Sequence, residues 1–100
     1  MTLTDLAATI ADRKDADPEH SWTARLLADP DKAAEKFGEE AVEAIIEAVR
    51  DRPARLTAEA ADALYHLLVM CAARGVTLSD IEAELARRQM QSGIAEKAGR

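Results

Sequence analysis

Residues 38–66 read "GEEAVEAIIEAVRDRPARLTAEAADALYH", and the fold turns on how this stretch is interpreted. Two segments rich in Ala, Ile, Val and Leu flank a short polar piece, "DRPARLT", and each carries acids at helical spacing. Glu39 with Glu43, and Glu43 with Glu47, are like-charged i, i+4 pairs that cost a helix about 0.2 to 0.5 kcal/mol apiece. At about 100° per residue, Lys36, Glu40, Glu43 and Glu47 form one polar stripe. The rest of that helix is a wide apolar arc from Ala33 and Phe37 through Ala41, Ala44, Ile45 and Ala48 to Val42 and Val49, so cover on more than one side is predicted. In the second segment the only polar side chains between Glu59 and Ala73 are Glu59, Asp62, Tyr65 and His66. A helix apolar nearly all round is predicted to be buried, Leu64 and Leu68 included. Glu59, Asp62 and His66 share one narrow face of it, so two carboxylates are carried into or beside a core, where charges survive only if paired or bound to a metal.

Working outward, Leu3, Leu6, Ala7 and Ile10 stand at i, i+3, i+4, i+7 and predict a first short helix, which "DADPEHSW" ends. "TARLLAD" reads as a helical turn or short helix, and Pro30 suits the first position of a long helix running to about Arg50. Thr57 is a candidate cap for the next helix, which runs to about Arg74 and stops at Gly75. Ser79 and Glu82 in "TLSDIEAELARR" have capping-box spacing, and the tail from about residue 90 is expected to fray. The prediction is an all-α domain over residues 1–100, a bundle of four to five helices.

Composition narrows the function. One hundred residues, 48% hydrophobic and 32% charged, fit a single soluble domain whose core, with only three aromatics, is aliphatic. Thirteen basic residues against nineteen acidic give a net charge of -6 with no basic stripe, which argues against nucleic-acid binding. The single Cys71 excludes an internal disulfide and reads as a small core residue. "MTLTDLAATIADRK" lacks a signal-peptide pattern and "ALYHLLVMCAA" is too short to span a bilayer, so a cytoplasmic protein without membrane partners is expected.

The short connection favours an antiparallel hairpin, in which each helix offers an i, i+3 acid pair, Glu40 with Glu43 and Glu59 with Asp62. Four converging carboxylates with few local cations suit a hard ion such as Mg²⁺, which leaves positions for water and phosphate. Metal-dependent cleavage of a phosphoanhydride follows as a hypothesis. Their axial register stays open, because Glu43 lies about two turns from its helix end while Glu59 opens a helix capped at Thr57.

The arrangement E-x-x-E, fifteen residues, E-x-x-D resembles the motif of the MazG-like all-α nucleotide pyrophosphohydrolases. Within that superfamily the similarity extends along most of the chain to the phosphoribosyl-ATP pyrophosphatase family, through "SWTARLL", "KFGEEAVEAIIEA" and "EAADALYHLLVMCAARGVTLSDIEAELARR". The resemblance implies hydrolysis of phosphoribosyl-ATP to phosphoribosyl-AMP and pyrophosphate in histidine biosynthesis, with Mg²⁺ held by Glu40, Glu43, Glu59 and Asp62. It also implies a homodimer with helices of both subunits near the site, and Ser21, Thr23 and Tyr65 near substrate. Glu39 fits the family's doubled acid and could orient water or a ligand from behind the metal residues.

His66, one turn beyond Asp62, reads either as a hydrogen-bonded core histidine or as support for the acids. Lys36 and Arg88, with Arg87, are candidate phosphate contacts, and Trp22 a packing anchor. Two further functions stay open: a relative that hydrolyses other nucleoside triphosphates, and a non-enzymatic dimerisation module. The second leaves Glu59 and Asp62 without a purpose.

Overall fold

The computed structural model describes residues 1–89, so the expected fraying beyond lies outside the described residues. Five helices follow in order, α1 (Leu3–Asp12), α2 (Trp22–Leu27), α3 (Pro30–Val49), α4 (Pro53–Ala72) and α5 (Leu78–Gln89), with no strand among the described residues. The all-α prediction holds, with α3 and α4 as the antiparallel hairpin.

Each helix starts where a side chain or a proline removes an orphan backbone donor. Thr2 and Asp5 form a reciprocal capping box on α1, and Asp29 accepts the Lys32 N–H at 3.2 Å ahead of Pro30. Two starts differ from expectation. Thr57 does not cap α4: the helix begins four residues earlier at Pro53, whose fixed φ suits a first helical position, and the Thr57 hydroxyl donates to the Pro53 carbonyl at 2.9 Å. The box on α5 is Thr77 with Asp80, at 2.9 and 3.1 Å, not Ser79 with Glu82. Thr77 directly precedes Leu78, the first residue of α5, and so meets the free N–H groups first.

Residues 50–52 alone join α3 to α4. Asp51 adopts φ +54°, Asp51 N–H donates to the Ala48 carbonyl and Arg52 N–H to that of Glu47, each at 3.1 Å. These two bonds are the 5→2 and 6→1 pair of a Schellman motif, with aspartate in the left-handed position that glycine usually takes. Gly75 (φ +76°) ends α4 in the same way, as Gly75 N–H reaches Ala72 and Val76 N–H reaches Cys71.

Ile10, Leu26, Ala33, Leu68 and Val69 form the core, with Leu6, Leu27, Tyr65 and Ile81 packed against it. It sits where the start of α3, the end of α4, α1 and α2 meet. Burial along α4 therefore climbs from Pro53, which is exposed, to Val69, at 0% exposure. The expectation of a helix buried all round is corrected here. Leu68 is 7% exposed but Leu64 is 42% exposed, because only one side of α4 meets other helices in this chain. Cys71 is half-buried at the core's edge rather than inside it. The radius of gyration, 15.5 Å, exceeds the ~13 Å of a compact domain of 100 residues. The turn end of the hairpin is the part left uncovered.

Two stability outcomes follow. Leu68→Ala should cost about 2 to 5 kcal/mol in chemical denaturation. Asp51→Val should cost about 1 to 2 kcal/mol through left-handed backbone strain, while Asp51→Gly keeps or raises the midpoint.

Candidate metal centre

The four-residue extension of α4 to Pro53 answers the question of register. Glu59 lies two turns into α4 and Glu43 about two turns from the end of α3, so the two stand level across a three-residue connection. Oxygens of Glu40, Glu43 and Glu59 all lie within 4.8 Å of one another. Asp62, exposed and one turn further along α4, stands outside that set of three, although its charge is felt at Glu59.

Three carboxylates at this spacing cannot all be ionised cheaply without a cation. The Glu59 carboxyl is held above its ordinary value of 4.5. The first cause is a hydrogen bond with Glu43, which exists only while one of the two carries a proton. Removal from water follows, then the charges of Glu43, Asp62 and Glu40. Glu59 Oε2 is buried with no hydrogen-bond partner. An orphaned, buried carboxylate oxygen beside two further carboxylates is the donor set a hard divalent cation takes, so the residues fit such an ion.

Most of the polar stripe of α3 is drawn in. Lys36 and Glu40 are half-buried and Glu47 is 9% exposed, while Glu43 is exposed. Lys36 Nζ lies 3.1 Å from Glu39 and 3.7 Å from Glu40, and the Glu39 contact raises the lysine's pKa. Glu39 itself is exposed and faces Lys36. Sequence reasoning left the burial of Glu47 open. Its Oε1 is 3.9 Å from Arg52, its Oε2 has no partner, and the available signal was its place on the stripe of Glu40 and Glu43. With the acids inward, Val42, Ile45, Ile46 and Val49, at i, i+3, i+4 and i+7, are left 41 to 80% exposed.

His66 is buried, and its Nδ1–H donates to the main-chain carbonyl of Asp62 at 2.8 Å, with Nε2 unpartnered. It therefore meets the acids' helix through backbone, not carboxylate. Tyr65 packs edge-on to it and shares a hydrogen bond with the Thr23 hydroxyl. Ser21 caps α2 by accepting the Ala24 N–H at 3.1 Å. Arg88 lies on α5 with its Nε 3.2 Å from Glu84. Trp22, expected as a packing anchor, is 44% exposed, since the six-residue α2 buries Ala24 and Leu26 instead.

Residues 3–89 match the family described as phosphoribosyl-ATP pyrophosphohydrolase. The chain belongs to that family. It is similar to phosphoribosyl-ATP pyrophosphatases along nearly its whole length. That of Cereibacter sphaeroides is 71% identical over 99 residues, 98% of this chain and 96% of the relative. The Ruegeria pomeroyi protein is 69% identical, covering 98% and 94%. The Paracoccus denitrificans protein is 72% identical over 96 residues, 95% and 89%. In this phosphoribosyl-ATP pyrophosphohydrolase family member the described residues form five helices and no strand, and no helix among them is long and apolar enough to cross a membrane.

The raised Glu59 carboxyl gives a pH signature in metal-free protein. The folded state keeps this proton to higher pH than the unfolded chain does. The resulting stability is therefore complete below about pH 4.5 and is lost as pH rises through the folded value. Unaltered protein should lose stability relative to Glu59→Gln between pH 4.5 and neutrality. Parallel denaturation curves for the two would refute the proton assignment.

Proposed function

We propose that this chain is a Mg²⁺-dependent hydrolase converting 1-(5-phosphoribosyl)-ATP and water into 1-(5-phosphoribosyl)-AMP and pyrophosphate, the second step of histidine biosynthesis. The names of its relatives support the substrate, and one observation carries the chemistry: oxygens of three glutamates from two helices lie within 4.8 Å of one another. Glu40, Glu43 and Glu59 would hold the ion, joined by Asp62 from the same side of α4. A Mg²⁺ ion held there supplies positive charge for the leaving pyrophosphate and keeps positions for water and phosphate oxygens.

The remaining side chains bind and orient. Lys36, beside Glu40, offers an ammonium for a phosphate, and Arg88 a guanidinium from α5. Glu39, held by Lys36, orients the site from outside the metal set. The paired hydroxyls of Thr23 and Tyr65 meet substrate as a unit behind the cap made by Ser21, and His66 supports Asp62 through its carbonyl. Water oxygen bonds to one phosphorus of the α–β anhydride as that phosphorus loses its bond to the bridging oxygen, which stays on the other; phosphoribosyl-AMP and pyrophosphate separate, and the water protons pass to the products or to solvent.

The working form is a cytoplasmic homodimer. Val42, Ile45, Ile46 and Val49 present one continuous apolar face of α3 to solvent, a patch that a second copy would cover.

Pyrophosphate release measured across phosphoribosyl-ATP and common nucleoside triphosphates tests the activity. Strong preference for phosphoribosyl-ATP with Mg²⁺ is expected, and equal turnover of ordinary triphosphates would favour the broader nucleotide hydrolase. Glu43→Gln or Glu59→Gln should fold at least as stably as the parent without metal, yet lose turnover by orders of magnitude with Mg²⁺. Near-normal rates in both variants would sink the carboxylate site. For the dimer, thermal stability should rise with protein concentration, and Ile45→Asp should abolish that dependence.

A further inference from the structure

The chain's single tryptophan stands in water. Trp22 keeps 44% of its surface exposed, although an indole gains much from burial. The Arg25 guanidinium sits 5.9 Å from the ring centroid, and its Nε–H donates to the Pro18 carbonyl at 3.3 Å. Among the described residues Arg25 has no carboxylate in ion-pair contact, whereas Lys36, Arg52 and Arg74 each do. The guanidinium thus lies over the indole ring, while 44% of the tryptophan still meets solvent.

This pair is tied to the helix that carries Glu59 and Asp62. The Thr23 hydroxyl bonds that of Tyr65, and Ala24 and Leu26 bury the other side of α2. Tyr65 follows Asp62 by three residues, about 4.5 Å of helix axis, so α2 is pinned to α4 about one turn beyond Asp62. A carboxylate cluster can grip a polyphosphate through a cation but reads nothing of a base. A chain of net charge -6 also repels a nucleotide until some positive group meets it.

We propose that Trp22 and Arg25 form a nucleotide platform: the exposed indole stacks on the substrate's purine, and the guanidinium donates to a phosphate of the same nucleotide. Arginine suits both tasks, since its planar group stacks on an aromatic face and still presents donors at its edge. The inference rests on the nucleotide-hydrolase reading given above and adds where the base is recognised.

The lone tryptophan is its own reporter. Titrating the intact protein with AMP should quench Trp22 fluorescence saturably, while inorganic pyrophosphate, which has no base, should leave it unchanged. In pyrophosphate-release assays Trp22→Ala should raise KM about tenfold with kcat within about twofold, and Trp22→Phe should restore most of the loss. Arg25→Gln should raise KM and weaken its dependence on salt. A flat AMP titration, or an unchanged KM in Trp22→Ala, overturns the platform. Absence of pyrophosphate release from every nucleotide defeats the hydrolase reading instead, and the AMP titration still decides the platform.

Discussion

Two backbone hydrogen bonds, Asp51 to Ala48 and Arg52 to Glu47, close α3 and release the chain directly into Pro53. With only residues 50–52 between the helices, there is no slack in the connection. The register of α4 on α3 is therefore set to within a residue, and with it the juxtaposition of Glu59 with Glu40 and Glu43. A slip of one residue would rotate Glu59 by about 100° away from its partners. The connection thus does for the acids what a disulfide does for a small secreted domain: it fixes two points of chain that would otherwise separate.

The charge arrangement is the inverse of an ordinary amphipathic helix. Along α3 Lys36, Glu40 and Glu47 are drawn in, Glu43 stays exposed, and Val42, Ile45, Ile46 and Val49 face out. A helix folded as an isolated unit would hide those four and hydrate the acids. The inward placement is tolerable because Lys36 sits within the same stripe, because one proton can be shared by Glu43 and Glu59, and because the core that holds the fold lies elsewhere. Stability and chemistry are drawn from different stretches of the same two helices.

Most of this was legible in the sequence. Helical periodicity and the brevity of "DRPARLT" were enough for the hairpin, and the acid spacing picked out Glu40, Glu43, Glu59 and Asp62, of which the first three come together. What was not legible follows from competition between local signals. Thr57 looks like a cap, but Pro53 can start a helix with no cap bond, and the earlier start won. Thr77 and Asp80 outcompeted Ser79 and Glu82 because the Gly75 turn places Thr77 at the helix entrance. The exposures of Leu64 and Trp22 were missed for a different reason: apolar periodicity reports that a face wants cover, not which chain covers it.

The uneven packing along α4 also shapes how the molecule breathes. Its last turns are locked by Leu68 and Val69, while its first turns are largely exposed. Opening of the turn end should therefore require far less free energy than global unfolding. Such an opening separates Glu59 from Glu43 and relieves their repulsion, so in the absence of a cation the site pushes itself apart. A bound ion reverses the sign of that force and acts as a splint on the softest part of the hairpin. The acids proposed to hold the ion are thus also a spring, loaded when the site is bare and released when charge arrives.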